Sequence, residues 1–226
     1  MSNIQEATAE FTRSKYGIEL DTLKPDYKLS NGNSKLAKDG IVSFNLIPIV
    51  HCPLAGACKQ YCYATAGMQA FRASVLKRAR AFLATLREDF VDVMVKQIAK
   101  SKASKVRIHD SGDFYSAEYL LKWIRIAELS PTKQFYAYTK MIPLVAKMQG
   151  KLPSNLKLIQ SLGGIADSRI DMQLPHARIF RTRDELLTAG YSDASDTDLP
   201  ASQPGVNLIG LVIHGAKSSK FNIAVK

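Results

Sequence analysis

The chain has 226 residues, 46% of them hydrophobic and 23% charged, with a formal net charge of +11. That length and apolar share suit one core, or a small pair, and exclude wholesale disorder; no apolar run reaches the roughly 18 residues that a membrane span needs. The excess of Lys and Arg favours a polyanionic partner, a nucleic acid or nucleotide, against the plainer reading of a solvated basic helix face.

Residues 1–33 read as an N-terminal lead-in, and Asn31-Gly32 within it is a strong turn signal. The start, MSNIQEATAEF, lacks the basic and greasy segments of a signal peptide, so the expected compartment is the cytoplasm, with no membrane partner. Residues 34–226 read as a single α/β domain. IVSFNLIPIV (41–50) is predicted as a buried strand ended by Pro48. The longest helical pattern covers 72–100, with Leu76, Ala79, Leu83, Leu86, Phe90, Val93 and Met94 on one face and a break near Glu88-Asp89. KVRIHD (105–110) is the next strand, and Ser116 caps a helix that buries Leu120, Trp123, Ile124 and Ala127. Further strands are expected at 134–140, 155–162, 177–182 and 206–215. Pro143 and Gly150 bound one intervening helix; Thr182, Glu185 and Gly190 mark another. Strands alternating with helices imply β-α-β units. The fold class is therefore α/β, a partial (β/α)6 barrel or an open, mostly parallel sheet, with function at the strand C-terminal ends.

All three cysteines fall in one loop, HCPLAGACKQYCYATAG, directly after the first strand. An odd, clustered set is not a disulfide framework. The spacing Cys-x5-Cys-x3-Cys puts Cys58 and Cys62 one helical turn apart, and Pro53 and Gly56 let Cys52 fold back toward them. Three thiolates can hold three corners of a [4Fe-4S] cubane and leave the fourth iron open. Zinc is the rival, with His51 or His109 as its missing ligand; three buried free cysteines are the plain alternative. The expected metal ligands are Cys52, Cys58 and Cys62, in a cluster-binding loop at 51–63.

Polar side chains crowd the end of the second strand: His109, Asp110, Ser111, Asp113 and Tyr115. Gly112 would let a ligand approach the backbone, and Asp113 would accept a hydrogen bond from an ammonium group; the alternative is an Asp-rich turn capping the next helix. Tyr138 and Lys140 end the third strand, Gln160 and Ser161 the fourth, and Gly163-Gly164 offers a ligand further backbone access. Arg181 and Arg183 would meet a carboxylate or phosphate, and His214 reads as structural. No G-x-S-x-G elbow, P-loop or H-E-x-x-H motif is present, so hydrolase and nucleoside-triphosphatase readings lack their usual support.

The runs SKLAKDGIVSFNL, CPLAGACKQYCYA, VRIHDSGDFYSAEYLLKW and FYAYTK resemble a phage-encoded family, the gene-product-eighty-eight proteins, over roughly residues 34–165. This resemblance implies a phage or prophage origin, hence the host-cell cytoplasm, and brings no activity with it. More distantly, the chain resembles radical S-adenosylmethionine (SAM) enzymes. Those place three cysteines after the first strand of a partial (β/α)6 barrel, with an aromatic before the last, as Tyr61 stands here. Their usual spacing, Cys-x3-Cys-x2-Cys, is shorter than this one. Their Gly-Gly-Glu-like motif corresponds in place to Ser111-Gly112-Asp113. The resemblance implies a [4Fe-4S] cluster, SAM positioned by Ser111, Gly112 and Asp113 with Tyr138 and Gln160, and an electron donor as partner. The alternatives are a non-catalytic iron–sulfur protein (structural, sensory or electron-transferring) and a zinc-containing nucleic-acid-binding module.

Overall fold

The computed structural model describes residues 3–31, 33–215 and 217–221, so the expected turn residue Gly32 lies outside the described residues. Where the sequence predicts only a lead-in, helix α1 (Asn3–Tyr16) forms. Its buried positions are Thr8 and Thr12, which is why apolar periodicity does not reveal it. An extended segment follows, and Ser30 pairs antiparallel with Ser43, covering the free edge of the first strand. Leu20 is buried in the main core, and Ile4, Phe11 and Tyr16 pack against it, so residue 33 marks no break in the core.

Helix α2 (Ser34–Lys38) starts at Asn33, whose side chain accepts the Leu36 N–H. Strand β1 (Ile41–Phe44) is shorter than the predicted 41–50. Leu46 and Ile47 are buried but leave the ladder, because the chain turns there into the cysteine loop. A single helical turn, α3 (Cys58–Tyr61), lies in that loop. Helices α4 (Arg72–Thr85) and α5 (Phe90–Lys100) realise the long helical pattern and its break. Strand β2 (Lys105–Ile108) leads to α6 (Ala117–Glu128), capped by the Ser116 side chain on the Tyr119 N–H. Then come β3 (Gln134–Thr139), α7 (Ile142–Met148), β4 (Leu156–Ser161) and β5 (His176–Phe180). Helix α8 (Arg183–Thr188), capped by Thr182, is followed by β6 (Ser192–Asp193), α9 (Leu199–Ser202) and β7 (Leu208–Val212).

The seven strands form one sheet in the order β1-β2-β3-β4-β5-β7-β6, parallel at every pairing. It is open and curls into a half-barrel, within the predicted pair of architectures. The seventh strand beyond the expected six is β6, whose two residues carry no legible alternation.

Alternation along each strand separates two cores. Val106 and Ile108 of β2 join Phe44, Phe90 and Trp123 under the helices of the convex face. There Trp123 meets Phe44 at 5.6 Å and Phe90 at 5.9 Å, both edge-on. Truncating Trp123 to Ala would cost about 3–5 kcal/mol. On the concave face Tyr136, Ile159, Ala177 and Ile209 pack with Leu36 of α2 and Ala201 of α9. Among the described residues no helix is long and apolar enough to cross a membrane.

Candidate functional site

The loop that leaves β1 is anchored at its base by His51, which is fully buried. The Ile47 N–H donates to His51 Nδ1 at 3.0 Å, so the ring proton sits on Nε2. Nε2–H faces Thr8 Oγ1 at 3.0 Å, and that hydroxyl gives its own proton to the Ile4 carbonyl at 2.6 Å. The ring stacks on Phe82 at 4.4 Å. Burial drives its pKa down to about 3. With both nitrogens engaged, His51 is not free to ligate a metal, which corrects its candidacy for zinc. These clamps also hold Ile49 at a φ of 68°, a left-handed conformation that is costly for a β-branched residue.

The second anchor is the Gly163-Gly164 turn after β4. The Gly163 carbonyl accepts the N–H groups of Gly56 and Cys58, each at 3.1 Å. Ala55 pairs antiparallel with Gly164, and the Ile165 N–H returns to the Leu54 carbonyl at 3.0 Å. The Asp167 carboxylate holds the turn through the N–H groups of Gly163 (2.7 Å) and Gly164 (2.8 Å). A Cβ at Gly163 would stand 2.8 Å from Tyr61 Oη, and one at Gly112 2.6 Å from Leu46 Cβ. At both positions the close approach of neighbouring chain leaves no room for a Cβ.

Cys52, Cys58 and Cys62 are free and half-buried. All three line one cavity of about 470 Å³ at the mouth of the half-barrel, together with Ser111, Gly112, Asp113 and Tyr138. Gln160 is not part of that lining. It is 2% exposed, and its amide exchanges hydrogen bonds with the Asp171 backbone at 2.8 and 3.0 Å. Burial pushes the Cys52 thiol well up, and Asp113 adds to the rise. Burial also raises Cys62, against the pull of Lys217 and Lys140. Both thiols feel the charge of Cys58, so the three sulfurs share one electrostatic neighbourhood.

Among the described residues, no three His, Cys, Asp or Glu side chains approach closely enough to hold a single metal ion. Tetrahedral zinc sets its sulfurs about 3.8 Å apart, given Zn–S bonds near 2.3 Å. A cubane spreads its thiolate corners more widely than a single ion does. The three free cysteines on this loop line one cavity without forming a single-ion site among the described residues.

The polar groups around the cavity are mostly engaged. Asp113 Oδ1 accepts the Phe114 N–H (2.7 Å) and the Thr139 hydroxyl (2.6 Å), and Oδ2 accepts the Lys140 N–H (2.8 Å). Burial still raises its pKa to about 6 against these donors. The Ser111 hydroxyl donates to the Leu46 carbonyl at 2.8 Å. Lys140 Nζ donates to Ser161 Oγ at 2.9 Å and to the Leu162 carbonyl at 3.0 Å. Two groups differ. His109, held at a φ of 70°, uses Nε2 on the Tyr119 hydroxyl at 2.9 Å, but its buried Nδ1 has no partner among the described residues; the buried Tyr138 hydroxyl has none either.

Beside Tyr138 lies an ion network that sequence reasoning missed. Arg107 donates to Asp198 at 2.8 Å, lies 3.5 Å from Asp110 and stacks on the Tyr138 ring at 4.9 Å. Asp198 also takes Lys35 at 2.7 Å and the Tyr136 hydroxyl at 2.6 Å. Burial would raise the Asp198 pKa, but Arg107 and Lys35 hold it below the usual carboxylate range. The Arg107 side chain is only 12% exposed. A signal was present: Arg107 stands between Val106 and Ile108, which face the convex core, so it faces the concave side. Tyr63 was also missed; its hydroxyl donates to Asp110 Oδ1 at 2.6 Å.

Fold and site together define a class: an open α/β half-barrel with a three-cysteine loop and a cavity at the carboxyl ends of its parallel strands. Within that class, the chain belongs to the Gene product 88 family, whose profile matches residues 25–222. It is similar to the Gene 88 protein of Mycobacterium phage L5, with 36% identity over 75 residues, 33% of this chain and 31% of that protein. The Gene 88 protein of Mycobacterium phage D29 is similar to the same extent. The alignment therefore spans about a third of each of these curated phage relatives. No solved structure matches the chain.

Proposed function

We propose that Cys52, Cys58 and Cys62 hold one [4Fe-4S] cluster and that the adjoining cavity binds SAM for a radical-SAM-like reaction. The observation that carries this reading is the convergence of three free cysteines on a single cavity at the mouth of a parallel half-barrel. When bound, such a cluster supplies one electron to the SAM sulfonium. The chain's own part is to bind and orient. Asp113 has used three of its roughly four acceptor positions and keeps one for an ammonium group. The Tyr138 hydroxyl and the Lys140 ammonium stand on the same wall, and Ile179, Leu211 and Ile213 give the cavity an apolar side. The test is anaerobic purification, with about four irons per chain and broad absorption near ~400 nm expected. Reduced protein given SAM should then form 5′-deoxyadenosine; an iron-free preparation would defeat the reading.

The orphaned Nδ1 of His109 supports a second reading. In it the cluster is non-catalytic, and His109 caps the iron that the cysteines leave open. A reduced, intact cluster that forms no 5′-deoxyadenosine, and whose magnetic resonance spectrum changes in His109→Ala, would favour this reading over the first.

A further inference from the structure

A second cleft, of about 250 Å³, adjoins the cysteine cavity, and Gln69 and Asp110 line both. Its walls also include Lys28 before β1, Ser43 and Asn45 at the end of β1, and Ser74, Lys77 and Arg78 of α4. Arg78 is the unusual member. It is 6% exposed, and its guanidinium donates to the backbone and side-chain carbonyls of Gln69, both neutral. Among the described residues no carboxylate lies within ion-pairing distance of it, as the ion pairs formed elsewhere show by contrast. Asp110 acts on Arg78 only from beyond ion-pairing distance, and a buried cation with no directly bonded counter-charge is costly. Lys28 and Lys77 add two exposed cations to the same cleft.

The neutral donors agree. Ser43 is fully buried and its Oγ accepts the Asn45 amide at 3.0 Å, which leaves the hydroxyl proton to be given elsewhere. Asp110 is the one acidic side chain in the lining, and it is occupied by the Tyr63 hydroxyl at 2.6 Å and Arg107 at 3.5 Å.

We propose that this cleft binds the terminal phosphate of a small phosphorylated ligand, with Arg78, Lys77 and Lys28 as its cations and the Ser43 hydroxyl as a neutral donor. A terminal phosphate brings nearly two negative charges and three strong acceptor oxygens, which match this donor set. A nucleic-acid backbone tracks exposed basic grooves, whereas the deciding cation here is buried. Because the two cavities share Gln69 and Asp110, the remainder of the ligand would reach toward the cysteines. The inference goes beyond the cluster reading and stands without it.

The test is calorimetric titration of the full chain, at constant ionic strength, with inorganic phosphate, a nucleoside 5′-monophosphate and a short single-stranded oligonucleotide capped so that it carries only phosphodiesters. Phosphate and the monophosphate should bind. Lys28→Ala/Lys77→Ala should weaken both by about tenfold or more, as expected for lost charge-assisted contacts, with the unliganded melting temperature unchanged. Arg78→Met should abolish binding; if that variant fails to fold, the lysine pair decides, because both lysines are exposed. The proposal is overturned if wild type ignores phosphate at millimolar concentration, if the lysine variants bind as wild type does, or if only the oligonucleotide binds. Iron content measured on the same samples reports separately on the cysteine site.

Discussion

The carbonyl oxygen of Gly163 accepts the backbone N–H of Cys58 at 3.1 Å, so the turn after β4 seats the cysteine loop that follows β1. Gly163 sits at a φ of 102°, outside the left-handed helical region that other residues tolerate. Any side chain there would meet Tyr61 and Cys58 itself. The glycine pair thus gives the chain's own cysteine loop close access to the turn after β4.

Gly163→Ala should destabilise the protein by about 2–4 kcal/mol, from backbone strain and the clash with Tyr61. Urea unfolding measures this, and thiol-reagent kinetics should show Cys58 reacting faster as its loop loosens. Unchanged stability together with unchanged thiol reactivity would remove Gly163 from this role.

Cys58→Ser should lose most of the bound iron, because one missing corner opens the proposed cluster to solvent. Iron and acid-labile sulfide are assayed on anaerobic protein, with circular dichroism as the check on folding. A folded variant with wild-type iron content would show that Cys58 is not a ligand.

Asp198→Asn should cost about 3–5 kcal/mol, because it strands Arg107 and Lys35 without their shared carboxylate. The measurement is the urea midpoint at neutral pH. A loss below about 1 kcal/mol would mean that other groups hold these cations.

Stability should fall as pH drops below about 6.5, and the sign follows from the buried histidines. His51 and His109 have pKa values near 3 in the folded protein because burial disfavours their charged forms. Below the ordinary histidine value of 6.5, the unfolded chain takes up two protons that the folded chain refuses. Each contributes a slope of about 1.4 kcal/mol per pH unit until the pH approaches 3. Asp113, raised to about 6, works oppositely between pH 6 and 3.8, because the folded form is protonated there first. The net loss should steepen from pH 7 to about pH 6 and then hold at ~1.4 kcal/mol per pH unit, two histidine protons against one from Asp113. Chemical denaturation at pH 7.5, 6.2 and 5 reads this, and a midpoint that rises on acidification would contradict it.

Much of the scaffold was legible because local patterns encode local structure. The break between α4 and α5, the Ser116 and Thr182 caps and the face carrying Leu120, Trp123, Ile124 and Ala127 all rest on neighbours within one or two turns. Helix α1 was not legible, since the positions it buries are threonines that satisfy their hydroxyls within the helix or on a distant histidine. The candidate site divided in the same way. The cysteine loop and the Ser111–Asp113 turn follow β1 and β2, and parallel strands bring their carboxyl ends to one rim. Gln160 also ends a strand, yet its amide is consumed by Asp171, which nothing in the strand pattern announces.

By itself the sequence determined the α/β alternation, the parallel sheet and the placing of three thiols after the first strand, because periodicity and turn chemistry act over a few residues. Only the tertiary structure decided that Arg107 turns inward to meet Asp198, 91 residues away, that Gly163 receives Cys58, and that Arg78 is buried without an ion-paired carboxylate among the described residues. Those outcomes depend on which distant strand ends and helices meet when the sheet curls, and on the cost of burying a charge or a bare N–H once they have met.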